Sequence, residues 1–369
     1  MAELRPPAPP RRHLLSIADL ERGDVERLLD TARSLAASLD REMKKLPTLR
    51  GRTVVNLFYE SSTRTLASFE LAAKRLSADT MSLRSAGSSV DKGESLKDTA
   101  LTLAAYEPDV IVVRHPSIGA PQLVSRLTDA HVVNAGDGKH QHPTQALLDL
   151  YVMRESLGRL EGLQVAVVGD VLHSRVARSL VQALSLVGAE TVVVGPPTLV
   201  PRGIEALGCT VSHEIDAIAL ADVVYVLRMQ RERMGEAFVP SLREYTALYG
   251  ITPARVRDGQ VVMHPGPMNR GVEIDPRVAD SDAALVTDQV RAGLVVRMAV
   301  LYDVLTVAPV EARERVEVGS CSSRGTDAAI RSPSRGASSR PPRESTSTCA
   351  SRSRTASSAP SSPPPRARS

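Results

Sequence analysis

The 369-residue chain has no tryptophan, three phenylalanines and seven tyrosines, so aromatic residues make up only 3% of it. A basic face studded with aromatics, the usual nucleic-acid surface, cannot be assembled from so few. Its three cysteines, Cys209, Cys321 and Cys349, form neither an even set for disulfides nor a metal-type spacing. Cysteine usage of that kind points to a reducing compartment, and a cytoplasmic location is expected. No apolar run reaches the roughly 18 residues of a membrane span. The opening "MAELRPPAPPRRHLLS" also lacks the apolar centre of a secretory signal. Walker-type glycine loops are missing, and no G-x-G-x-x-G follows "VAVVGD", which weakens nucleotide and dinucleotide readings. No metal-ligand set is evident, and no cofactor is expected.

What is present is a globular composition, 42% hydrophobic, with length for two ordinary domains. The net charge of +4 is misleading. From Val318 onward there are nine arginines and two acidic residues, whereas the rest of the chain has 37 basic and 40 acidic residues. The excess basicity belongs to an Arg/Ser/Pro/Ala-rich tail with almost no aliphatic residues, which is expected to be disordered. Its monotony resembles GC-rich DNA read out of frame; a functional basic arm is the rival reading. With a slightly acidic body, a nucleic-acid partner is not expected, nor is a membrane.

The remainder alternates strand and helix patterns. "IADLERGDVERLLDTARSLAASL" reads as a helix, followed by the apolar strands "TVVNLFY" (53–59), "DVIVVR" (109–114) and "HVVNAG" (131–136). A second set comprises "LQVAVVGD" (163–170), the helix "HSRVARSLVQALSLVG", "ETVVVGPP", "DVVYVLRMQ" (222–230) and "QVVMHPGPMNR" (260–270). The alternation predicts an α/β protein with two doubly wound parallel sheets, its halves meeting near Leu150–Gly162. The closing pattern "QVRAGLVVRMAVLYDVL" (289–305) predicts an amphipathic helix packing back on the first half. The expected division is 1–150, 151–288, 289–308 for that helix, and a tail over 309–369.

Ligands of such folds bind at the carboxyl ends of the strands. There, "YESSTRTLASFE" concentrates Ser61, Ser62, Thr63, Arg64 and Thr65 where a strand becomes a helix. One hydroxyl before a helix is an ordinary N-cap. Four hydroxyls and an arginine together suit an anion, since a helix N-terminus offers free N–H groups and the guanidinium fits phosphate oxygens. Arg114 ends another strand, and His142 with Gln145 opens another helix.

These motifs, with "SSVDKGESLKDT", "NAGDGKHQHPTQALLDL" and "HPGPMNRGVEI", closely resemble the aspartate carbamoyltransferase family, in its catalytic chain, from about His13 to Val307. The resemblance implies that Ser62, Thr63, Arg64 and Thr65 bind the phosphate of carbamoyl phosphate. Arg114, His142 and Gln145 would bind phosphate and carbamoyl group, beside the loop Pro265–Gly266–Pro267. It further implies that Ser88 and Lys92 reach a neighbouring active site in a homotrimer. Arg175, Arg228 and Gln230, with Lys92, would hold the two carboxylates of L-aspartate. The expected catalytic set is Arg64, Thr65, His142 and Lys92. The family has leucine where this chain has Gly266, but it uses the backbone carbonyl there, so function is expected to survive.

The implied reaction carries the carbamoyl group to the α-amine of L-aspartate, in pyrimidine biosynthesis, by direct attack without a covalent intermediate. Ornithine carbamoyltransferase is the nearest rival, but it would carry "HCLP" in place of "HPGP" and must bind a cation, whereas Arg175, Arg228 and Lys92 suit a dianion. A catalytically silent relative would lack a site residue, and all are present. Association with regulatory chains or dihydroorotase is left open.

Overall fold

The computed structural model describes residues 12–84, 93–230 and 238–306. Ser88 and Lys92 lie outside the described residues, as does the basic tail.

Two parallel sheets form, mostly from apolar, β-branched runs. The first contains β1 (Thr53–Phe58), β2 (Asp79–Arg84), β3 (Val110–His115) and β4 (His131–Asp137), in the order β2-β1-β3-β4. The second contains β5 (Gln164–Val168), β6 (Glu190–Val194), β7 (Thr210–Ser212), β8 (Val223–Val226) and β9 (Val261–Met263), in the order β7-β6-β5-β8-β9. Central strands such as β5 and β8 are buried along most of their length, as expected where helices cover both faces. In each sheet the strand order reverses once, between β1 and β3 and between β5 and β8. Crevices at such reversals are where open α/β sheets bind ligands.

The helices are α1 (Arg22–Leu39), α2 (Thr63–Arg75), α3 (Leu96–Ala104), α4 (Ala120–Leu127), α5 (Pro143–Leu157), α6 (Arg175–Leu186), α7 (Leu242–Tyr249), α8 (Pro276–Ala279) and α9 (Val286–Thr306). α5 links the halves and is buried from Pro143 to Met153. It stops where Gly158 adopts a left-handed φ of 75°, a conformation glycine takes without steric cost. Leu147 and Leu150 are completely buried in a core shared with Phe58, Val167 and Leu301. Burial of each such side chain is worth roughly 1.5–3 kcal/mol.

Three expectations change. The first helix starts at Arg22, because Ser16 instead caps a 3-10 turn at Ile17–Asp19 through a capping box. Two edge strands, β2 and β7, were not expected from the sequence. α9 is buried on most of its surface rather than on one stripe, since it packs against α1, α2 and α5. Its polar residues are accommodated individually. Asp303 pairs with Arg12 at 2.9 Å and Arg27 at 3.1 Å, and the Arg297 guanidinium lies 5.3 Å from the Phe69 ring centroid.

Candidate active site

The residues expected at the strand ends lie at or just after the ends of strands in both sheets, with Arg64 in electrostatic reach of Arg228, and His142 in reach of Arg114 and Arg175. Ser62 occupies the N-cap of α2 in extended conformation, but its hydroxyl makes no capping hydrogen bond. The simple capping role is therefore unfilled, and α2 opens with hydroxyls and amides suited to an anion. Thr63 and Arg64 are exposed, while Thr65 is buried. His142 likewise holds the N-cap of α5 without a side-chain cap, its backbone N–H donating to Ser179 Oγ at 2.8 Å. Arg175 opens α6 behind Ser174, whose hydroxyl accepts from Ala177 N at 3.1 Å. Arg228 and Gln230 follow β8. The backbone N–H of Gln230 donates to Asp170 Oδ2 at 3.1 Å, and Asp170 Oδ1 lies 2.9 Å from His173 Nδ1.

Four guanidiniums define the electrostatics. Arg64 lies against the loop after β9, where a Cβ added to Gly266 would stand only 2.8–3.0 Å from its guanidinium atoms. Gly266 thus supplies space as well as its left-handed φ of 60°, and a bulkier residue would have to move Arg64. Partial desolvation of its guanidinium lowers the Arg64 pKa, and Arg228 lowers it further. Arg114 and Arg175 both close on Gly136, each placing an Nη1 3.0 Å from where its Cβ would be. Glu60 joins the same two arginines, accepting from Arg114 Nη2 at 2.8 Å and from Arg175 Nη2. Since Arg114 is near the end of β3 and Arg175 opens α6, the helix after β5, one carboxylate links the first sheet to the second half of the fold. Glu60 and Gly136 stand inside the conspicuous motifs, yet nothing in the sequence separated them from their neighbours.

His142 is kept neutral. Burial drives its pKa well below the ordinary value, helped by Arg114, Arg297 and Arg175. A neutral imidazole can donate to a carbonyl oxygen without competing for its own charge. His264, unassigned by the sequence, organises the glycine loop: its Nδ1 accepts from Gly266 N–H at 2.8 Å, and Nε2 faces Glu273 Oε1 at 3.3 Å. Burial lowers its pKa despite Glu273.

Behind Gln145 lies a buried polar cluster, also missed. Asp149 Oδ1 accepts from Gln145 Nε2 at 3.1 Å and Gln289 Nε2 at 2.7 Å, and Oδ2 accepts from Tyr225 Oη at 2.7 Å. Burial outweighs these donors and Arg297, pushing the Asp149 pKa up to about 7. The folded protein then holds a proton that the unfolded chain releases near its ordinary pKa of 3.8. This group's contribution to stability must fall as pH rises from about 4 to about 7, then level off. Thermal melts of wild type and Asp149→Asn should therefore differ by an amount that drifts downward across that window. A difference independent of pH would contradict the raised pKa.

A family model for the aspartate/ornithine carbamoyltransferase carbamoyl-P binding domain matches residues 12–155, and one for the Asp/Orn binding domain matches residues 161–304. The aspartate carbamoyltransferase catalytic subunit of Salinispora arenicola is 59% identical over 298 residues, 79% of this chain and 97% of its own. That of Acidothermus cellulolyticus is 58% identical over 295 residues, 79% of this chain and 91% of its own. Among solved structures, aspartate transcarbamoylase from Trypanosoma cruzi in complex with carbamoyl phosphate and aspartate superposes with a TM-score of 0.73 at 31% identity, covering 80% of this chain and 97% of that one. The catalytic subunit from M. jannaschii gives 0.69 at 38% identity, covering 79% and 97%. Matches over both halves, together with arginines clustered at the strand ends of both sheets, lead to one conclusion: the chain belongs to the aspartate/ornithine carbamoyltransferase family.

Proposed function

We propose that the chain is an aspartate carbamoyltransferase catalytic subunit, converting carbamoyl phosphate and L-aspartate into N-carbamoyl-L-aspartate and phosphate in cytoplasmic pyrimidine biosynthesis. The observation that supports the reading is a pair of arginine groupings at the strand ends, Arg64 with Arg228 beside the Gly266 loop and Arg114 with Arg175 around Glu60 and Gly136, a charge pattern suited to a phosphate and a dicarboxylate. In this reading residues 1–150 bind carbamoyl phosphate and residues 151–288 bind aspartate, with 289–308 packing back on the former.

Ser62, Thr63, Arg64 and Thr65 receive the phosphate, with Arg114 beside them. Gln145 and the carbonyl groups of the Pro265–Pro267 loop take the carbamoyl amine, while neutral His142 and Thr65 donate to the carbamoyl oxygen. Arg175, Arg228 and Gln230 take the aspartate carboxylates. The α-amine then attacks the carbamoyl carbon, and its negative oxygen is stabilised by fixed donors rather than by a covalent partner. The C–O bond to phosphate breaks as the leaving group gathers charge against Arg64, Arg114 and the α2 N-terminus, and the amine proton passes to the departing phosphate. Holding both reactants in attack geometry can supply several kcal/mol, up to about 11 in ideal cases. A homotrimer would complete each site with Ser88 and Lys92 of a neighbouring copy. No helix among the described residues is long and apolar enough to cross a membrane.

The test is phosphate release from carbamoyl phosphate with L-aspartate or L-ornithine as acceptor. Turnover with aspartate alone is expected. Turnover with ornithine would overturn the roles given to Arg175 and Arg228.

A further inference from the structure

We infer that Asp149 is a positioning residue for the carbamoyl group: its buried carboxylate turns the Gln145 amide so that the carbonyl oxygen faces the substrate, and so selects a carbamoyl over an acetyl donor. The inference rests on the carbamoyl-transfer reading above.

Gln145 and Asp149 lie one helical turn apart on α5, and Asp149 is completely buried. Every hydrogen bond that reaches Asp149 is donated to it, from Gln145 Nε2, Gln289 Nε2 and Tyr225 Oη. An ionised carboxylate can only accept, so it fixes which end of the Gln145 amide points inward. The carbonyl oxygen must then point the other way, from the first turn of α5, beside His142. Gln145 retains 8% exposure there. An amide turned around would offer N–H to the substrate and repel a carbamoyl amine.

The same carboxylate reaches the opposite wall. Gln289 donates to Asp149 with its nitrogen and accepts from His264 N–H with its oxygen, at 2.9 Å. His264 in turn accepts from Gly266 N–H. Both groups assigned to the carbamoyl amine, Gln145 and the Pro265–Pro267 loop, therefore take their orientation from Asp149. The charged and titratable groups around it are Arg297 on α9 and Tyr225 on β8.

Carbamoyl phosphate presents an NH2 group where acetyl phosphate presents a methyl. An acceptor aimed at that position favours the first, and removing its orientation should erase the preference. The experiment measures KM for carbamoyl phosphate, with aspartate saturating, and Ki for acetyl phosphate as a competitive inhibitor, above the Asp149 pKa of about 7. In Asp149→Leu the Ki/KM ratio is expected to fall at least about tenfold, the scale for a site that loses a polar discriminator. Asp149→Asn can keep its amide oxygen toward Gln145 and Gln289 and donate to Tyr225, so its ratio should stay within about threefold of wild type. An unchanged ratio in Asp149→Leu, with both constants weakened alike, would reduce Asp149 to a structural role and overturn the inference.

Should Asp149→Leu not fold, the wild-type protein still decides. The Gln145 side-chain amide protons, assigned by their loss in Gln145→Met, should exchange slowly with solvent in the unliganded protein. Fast exchange would refute the orientation. A wild-type protein that does not transfer the carbamoyl group at all would instead refute the reading on which this inference rests.

Discussion

Arg64→Ala should lower kcat by about 10³, because the variant loses the one guanidinium that reaches from the first turn of α2 to the loop after β9. The group is held against Gly266, with partial desolvation and Arg228 both disfavouring its charge in the absence of an anion. Charge arriving on the leaving phosphate relieves that repulsion, so the interaction strengthens toward the transition state, and kcat should suffer more than KM. Arg64→Lys restores a point charge without the fork that matches phosphate oxygens, and recovery should be incomplete, leaving kcat about ten- to a hundredfold down. Phosphate release measured across carbamoyl phosphate concentrations checks both variants. A loss below tenfold in Arg64→Ala would mean that the side chain is not directed at the leaving group.

Gly136→Ala is expected to be nearly as damaging, though glycine takes no part in the chemistry. Its φ of 120° lies in a region that side chains rarely adopt, and the new Cβ would stand 3.0 Å from guanidinium nitrogens of both Arg114 and Arg175. Displacing both cations should cut aspartate-dependent turnover by about 10² or more, since misplacement by about an ångström can cost that much. Gly51→Ala is the matched control. It also starts from positive φ, 80°, but has no atom within 4 Å of the added Cβ. Each should lose about 1–3 kcal/mol to backbone strain, visible as a lower Tm. Only Gly136→Ala should lose activity; equal activity in the two would dissociate Gly136 from the arginines.

Five of the strands and the phosphate loop were legible because their signals are local. β1, β3, β4, β5 and β8 are built on short apolar, β-branched stretches, and the run of Ser62, Thr63, Arg64 and Thr65 is dense enough to stand out. β2 was missed because it is an edge strand whose residues are all partly or fully exposed, so "DTMSLR" has no buried run to betray it. β7 is only three residues long. α9 misled because its polar residues look like a solvent face. Gln289 and Asp303 are in fact buried among partners far away in sequence, Asp149 and Arg27, at separations of 140 and 276 residues. Glu60 was hidden for the same reason, since its importance comes from Arg175, 115 residues along. Side chains that answer to distant partners leave no periodic mark.

The burial of α9 also bears on how the protein is made. A ribosome delivers α1, α2 and α5 long before residues 286–306, yet α9 supplies part of the core that those three helices share. At 5–20 residues per second, the interval between the end of α5 and the start of α9 is roughly ten seconds. For that interval the nascent first half has an unfilled apolar groove between helices, while the second sheet emerges behind it. Closure of the first half must wait until α9 has been made, and until then the groove is open to chaperones and to other nascent chains.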